Sequence, residues 1–395
     1  KVNFGQKPFK FPPPDGFQPL NTANVRPETV IARPDQYVGV VTYSGAGGTQ
    51  SVTGYNFNAK PDFVWIKNRS DSGGASHILF DTVRGAGKSL NSNETSLERT
   101  NHNYGYLTSF DFNGYTVTGG SSGDGETNDA SSTYVAWAWK AGGDKNTFNV
   151  DDIGYASAAA AGLDSGTITP TGASVNTKSG FSIVTFTADT GTNIFSIAHG
   201  LQNTPKFVIV KSRDNGVAPW YVYHSSLATD NYLRLNETNA TASDGANQWG
   251  NGMTSSVIGL RAGYTTVAST ATVAYCWHDV PGLQKFGSFE GNGNVDGPFV
   301  ELGFIPAIIW IKDATSTGAW LIWDSTRQSF NVQGPYLLAD SNGSESDSDL
   351  VDFLSNGFKI RTTAGSMNSS GETYIYMAWA EAPTVNLFGG GANAR

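Results

Sequence analysis

One cysteine, Cys276, in a chain of 395 residues excludes an intrachain disulfide, and without Cys-x-x-Cys pairs there is no framework for a structural zinc site. Charge is scarce as well, at 15% Asp, Glu, Lys and Arg, and it is unbalanced: 25 basic residues against 34 acidic ones leave a net charge of -9. A surface of that sign repels phosphate backbones, so nucleic acid is not an expected partner. Long apolar runs are missing too. The nearest candidate, from Tyr155 to Leu163, falls far short of the roughly 18 residues of a membrane-spanning helix, so no membrane insertion is expected and the chain reads as soluble. No charged segment leads into an apolar one at Lys1, and no signal peptide is expected.

What the sequence has in quantity is glycine, 47 residues, and aromatic rings: 10 Trp, 16 Tyr and 22 Phe. Gly, Ser, Thr and Asn punctuate short aromatic and β-branched runs, while an apolar stripe of helical period is nearly absent. The expected fold class is all-β, in tandem antiparallel β-sandwich domains of the jelly-roll or lectin-like kind.

A repeat organises these runs. Three apolar strands close on lysine: Phe63-Val64-Trp65-Ile66-Lys67, Phe207-Val208-Ile209-Val210-Lys211 and Ile308-Ile309-Trp310-Ile311-Lys312. Each follows a proline, at Pro61, Pro205 and Pro306. Three later strands end on tryptophan, at Trp139, Trp277 and Trp379, and lie 72, 66 and 67 residues after the respective lysine. Between them come a shared strand ending in Phe80-Asp81, Tyr223-His224 or Trp323-Asp324, and a turn at Asn113-Gly114, Ala262-Gly263 or Asn356-Gly357. Hairpins over 37–53, 181–197 and 286–300 are expected to open the units. The boundaries predict sandwich repeats at 37–143, 181–281 and 282–383, each closing its own core. Around them lie an extended tether at 1–36, an Ala/Gly/Thr-rich connector at 144–180 and a Gly-rich tail at 384–395. The connector is expected to wrap a unit or contact another chain.

Alternation along the closing strands puts Val135, Trp137 and Trp139 on one face, as it does Ile375, Met377 and Trp379. The opposite face carries Ala138, Cys276 and Ala378 at equivalent places. Cys276 therefore reads as a small packing residue and not as a nucleophile.

The chemical motifs are weak. Gly85-Ala86-Gly87-Lys88-Ser89 ends like a phosphate-binding loop, but the required leading glycine is Thr82. His77, His102, His199, His224 and His278 lack metal-ligand spacing. Loop acids at Asp124, Glu126 and Asp129, and at Asp340, Glu345, Asp347 and Asp349, could serve glycan hydrolysis or calcium, yet neither stretch has the spacing of a calcium loop. They read as solvated tips. Asp81 with Arg84 and Asp324 with Arg327 read as local structural pairs, replaced in the second unit by His224 and Leu227. A better binding signal comes from rings in polar, Asn-rich loops: Tyr104, Tyr106, Tyr232 and Trp249 are the candidate glycan-binding residues, against the alternative that they plug the sandwich ends.

The opening words, Val2-Asn3-Phe4-Gly5-Gln6-Lys7-Pro8-Phe9 and Pro12-Pro13-Pro14-Asp15-Gly16-Phe17, resemble the closing strand and tail of a SPRY-type lectin-like domain. From Tyr37 to Pro383 the chain resembles repeated domains of uncharacterised function in virion structural proteins of marine tailed phages. The matching words include Phe63-Val64-Trp65-Ile66-Lys67-Asn68-Arg69, Tyr134-Val135-Ala136-Trp137-Ala138-Trp139-Lys140, Asn146-Thr147-Phe148-Asn149-Val150-Asp151 and Lys285-Phe286-Gly287-Ser288-Phe289-Glu290-Gly291-Asn292-Gly293. The resemblance implies a non-enzymatic tail or capsid fibre on the virion surface, with no catalytic residues and no cofactor. It implies as partners further copies of the chain, as in homotrimeric fibres, other virion proteins and a host-surface glycan. A glycan depolymerase using the loop acids, a spacer without ligand and a cell-surface filament subunit are the alternatives.

Overall fold

The computed structural model describes residues 31–71, 74–123, 125–243, 245 and 247–383. Most of the expected tether, the tail at 384–395 and Asp124 lie outside the described residues. The fold is all-β, as the composition implies. In each unit the lysine strand (Phe63–Asn68, Phe207–Ser212, Phe304–Asp313) pairs antiparallel with the closing strand (Thr133–Trp139, Ala271–Trp277, Thr373–Pro383). In register, Phe63 faces Trp139, Phe207 faces Trp277 and Ile308 faces Trp379.

The expected opening hairpins are not hairpins. Val38–Ser44 pairs with the closing strand of its unit, whereas Thr49–Thr53 pairs with Gly114–Thr118 in a second sheet. The same divergence separates Phe181–Thr187 from Ile194–Ala198, while in the third unit Gln284–Glu290 and Phe299–Glu301 stand at opposite ends of one continuous eight-stranded sheet. The chain thus crosses from one β layer to the facing one at each start, because burying both layers outweighs local pairing. The connector also has a definite place: Phe148–Val150, Ile153–Tyr155 and Gly172–Asn176 extend the edge of the second unit's inner sheet.

Each unit has its own core between its layers. Ala138, Cys276 and Ala378 sit in these three separate cores. The other face of every inner sheet was expected to remain within its unit, and here the structure departs from the sequence reading. Phe63, Trp65, Val135, Trp137, Trp139, Phe207, Ile209, Trp277, Ile308, Trp310, Met377 and Trp379 all belong to one further core, shared by the three units. Lysine and closing strands are therefore buried on both faces, which is why their sequences are apolar almost without interruption.

At the middle of that shared core three equivalent indoles meet. Trp139, Trp277 and Trp379 have ring centroids 5.4–6.3 Å apart, and each pair is inclined by 70–71°. Edge-to-face packing sets the positive rim of one ring on the negative face of the next. None of the three indole N–H groups has a hydrogen-bond acceptor among the described residues, and further rings, Phe63, Phe181, Phe207, Phe286 and Trp310, pack around the triangle.

Polar contacts close the units into a ring in one direction of travel. The ammonium of Lys67 donates to Asn342 O in the third unit, Lys211 to Thr95 O in the first, and Lys312 to Thr238 O in the second, at 3.0–3.2 Å. Trp220 Nε1 donates to Asn91 O and Trp320 Nε1 to Arg234 O, while His77, in the corresponding place, meets Leu338 O. This is a head-to-tail arrangement closed within a single chain.

Candidate binding site

The four candidate rings have different fates. Tyr232 and Trp249 are each 3% exposed and lie in the core of the second unit. Trp249 packs edge-on against Tyr223 and donates Nε1 to Asn231 O, and Tyr232 packs against Tyr221 beneath the Arg234 guanidinium. These two plug the sandwich, which corrects their reading as glycan contacts: a polar, Asn-rich sequence signals a loop but not which way its ring points. Tyr106 begins the strand Tyr106–Asp111 and is half-buried against the first unit's core. Tyr104 alone of the four keeps its ring open, at 49% exposure.

Tyr104 stands in the loop between the strands Arg99–Thr100 and Tyr106–Asp111. Facing segments, 119–123 and 125–129, hold it. Glu126 N donates to Tyr104 O at 3.1 Å, and Ser122 N donates to Asn103 O at 2.8 Å. Gly123 has φ of +150°, and a Cβ there would lie 3.3 Å from Tyr104 Cδ1, so the backbone backs the ring directly. Asn128 fastens the second segment by accepting from Ala46 N at 2.9 Å and donating to Gly48 O. Ordering the ring before any ligand arrives lowers the entropy cost of stacking on it.

Beside the ring opens a cleft of about 370 Å³ lined by Asp71, Gly74, Ala75, Ser76, Glu94, Arg99, His102, Tyr104, Gly125 and Glu126. Arg99 spans two carboxylates, with Nη2 3.0 Å from Glu94 Oε2 and Nη1 3.1 Å from Glu126 Oε1. The other Glu126 oxygen lies 2.8 Å from His102 Nδ1. Burial pushes the Glu126 carboxyl above its usual range, against the pull of His102 and Arg99. Ser76 Oγ and Ser96 Oγ donate to the two oxygens of Glu94. The cleft belongs to the first unit: Tyr134 Oη bonds Gly125 O and Tyr374 Oη bonds Gly365 O, so the third unit has Ser366 in the place of Glu126.

A larger cleft, about 660 Å³, lies near Lys140, Asp152 and Lys178. Its buried cation is spent: Lys140 Nζ is bonded to Asp62 Oδ2, Asp152 Oδ1 and Ala141 O. Its aromatic rings are Tyr37, half-buried, and Phe57, buried, so the more open ring of Tyr104 makes its cleft the better candidate despite its smaller size.

The remaining sequence candidates are either structural or exposed on strands. Glu345 joins Arg69 and Arg327 across the boundary between first and third units. Asp340 caps Trp320 N, and Asp129 caps Ser131 N. Asp347 and Asp349 lie on the strand Ser346–Leu354, where they are exposed. Among the described residues no three His, Cys, Asp or Glu side chains are gathered to hold a metal ion. Gly85 to Ser89 runs from a turn into the strand Lys88–Asn91 and not into a helix, so it is no phosphate loop. Sequence reasoning missed Arg99 and Glu94, which become part of the site through folding; their alternation of charge near Tyr104 was the available signal.

Comparison with known families matches residues 33–383 to a model described as Domain of unknown function (DUF7483). No curated protein and no solved structure matches the chain. The matched span runs through all three units.

Proposed function

Because the chain belongs to the DUF7483 family, whose description carries no chemistry, we propose its function from geometry: a non-enzymatic adhesion module that holds saccharide in the Tyr104 cleft. The observation that carries this reading is the half-exposed Tyr104 ring, backed by Gly123 and bordered by Glu94, Glu126 and His102. A pyranose presents an apolar C–H face that packs on such a ring, and hydroxyls that bond the polar groups at its rim. Both oxygens of Glu94 accept hydrogen bonds from Ser76, Ser96 and Arg99, and Glu126 accepts one from Arg99 through Oε1, which suits Glu94 to holding better than to proton transfer.

Display on a virion appendage fits the same body. Three units braced on one another supply a sturdy, acidic, disulfide-free scaffold. The trimeric packing that the fibre resemblance implies has an intrachain counterpart in the Trp139, Trp277 and Trp379 triangle.

Titration calorimetry with neutral oligosaccharides of several linkages tests the proposal. Binding by the intact chain, lost in Tyr104→Ala and kept in Phe112→Ala, supports it. Release of new reducing ends from the bound saccharide would replace adhesion by cleavage, and binding indifferent to Tyr104→Ala would remove the site.

A further inference from the structure

Resting on the reading of the Tyr104 cleft as a saccharide site, we propose that it selects by charge, accepting neutral and amino sugars and rejecting sugars that bear carboxylate or sulfate. The charged groups of its lining are Asp71, Glu94, Glu126, Arg99 and His102. Three carboxylates against one guanidinium leave the lining itself negative whether or not His102 carries a proton, and the Lys67 ammonium behind it, bonded to Ala75 O, offsets part of the Asp71 charge. Arg99, the cation that would greet an acidic sugar, has both terminal nitrogens engaged by Glu94 and Glu126. An incoming carboxylate would have to displace one of these partners or sit unpaired among three like charges, and the chain's net charge of -9 works in the same direction.

The same groups favour hydroxyl and ammonium donors. The Glu94 and Glu126 carboxylates line the cleft, and so does Asp71. An amino group placed over Tyr104 would gain from the ring's negative face as well as from these carboxylates. Discrimination therefore comes from a repulsive element against acidic sugars, added to an attraction shared by all pyranoses.

The test uses the intact chain at low ionic strength and three probes of similar size: an N-acetylglucosamine oligomer, a glucosamine oligomer and an oligoglucuronate. The first two are expected to bind, with the oligoglucuronate weaker by about tenfold or more. Asp71→Asn and Glu94→Gln are expected to narrow that gap; Asp71→Asn alone carries the comparison if Glu94→Gln disturbs the loop. Oligoglucuronate binding as tight as the others, through Tyr104, would overturn the charge rule and leave a saccharide site standing. Failure of all three probes to bind a folded chain would overturn both.

Discussion

Trp137 of the first unit donates its indole N–H to Asp324 Oδ2 of the third at 3.0 Å, across a boundary that neither strand crosses. The equivalent bond between the first and second units runs from Tyr275 Oη to Asp81 Oδ2 at 2.7 Å. At the third boundary the position of Trp137 and Tyr275 is filled by Met377, which has no donor, and the position of the aspartates by His224, which reaches Tyr376 O instead. Arg84 and Arg327 accompany Asp81 and Asp324, and Leu227 accompanies His224. Loss of the acid, the arginine and the donor together keeps the shared core free of an unpaired charge.

His224→Asp should therefore be severe. It buries a carboxylate with neither arginine nor hydroxyl to meet it, and a loss of about 3–5 kcal/mol is expected in urea unfolding. Tyr275→Phe should cost less, about 1–3 kcal/mol, because Arg84 still holds Asp81. A His224→Asp chain as stable as its parent would refute the complementarity of these boundaries.

Cys276 should be inert while the chain is folded. It is fully buried beside Ala274 in the second unit's core, and burial pushes its thiol up to about 12. Thiol reagents are expected to label it only at the rate of unfolding, and Cys276→Ala, which matches Ala138 and Ala378, should cost no more than about 1 kcal/mol. Fast labelling of the native chain would contradict this packing.

Stability should climb from pH 8 towards pH 10. Burial brings Lys67, Lys211 and Lys312 down to about 8 from 10.5, so between these values the unfolded chain binds more protons and folding gains as pH rises. Below 8 the cost of keeping three buried ammonium groups is present in full. Above about 10 the gain reverses, since burial holds Tyr55, Tyr115 and Tyr275 protonated in the fold while they ionise in the unfolded chain. At the acid end, burial lowers His199 and His224 to about 4, and their contribution is lost as pH falls below 6.5. Urea midpoints measured from pH 4 to 11 should peak between 9 and 10, with a flatter approach in Lys211→Met. A midpoint falling from 8 to 10 would contradict the assignment.

The repeat was legible because each unit keeps the same lysine and tryptophan in the same register, and alternation correctly separated Trp139 from Ala138. Alternation could not say what the tryptophan face packs against. A clue lay in Phe63-Val64-Trp65-Ile66 and Ile308-Ile309-Trp310-Ile311, where both faces are apolar, as in a sheet covered on both sides. The crossings between layers that replace the expected hairpins were hidden, since glycine-rich turns permit either path. Of the binding candidates, Tyr104 was legible and Trp249 misleading, because ring orientation depends on Gly123 and Asn231, contacts that only the tertiary fold creates.

Calorimetric unfolding of the parent chain and of Trp379→Ala tests the shared core most directly. One transition is expected, its calorimetric and van't Hoff enthalpies in agreement, with Trp379→Ala lowering that whole transition by about 3–5 kcal/mol although it alters only the third unit. Separate transitions for the three units, with Trp379→Ala shifting one and sparing the others, would contradict it.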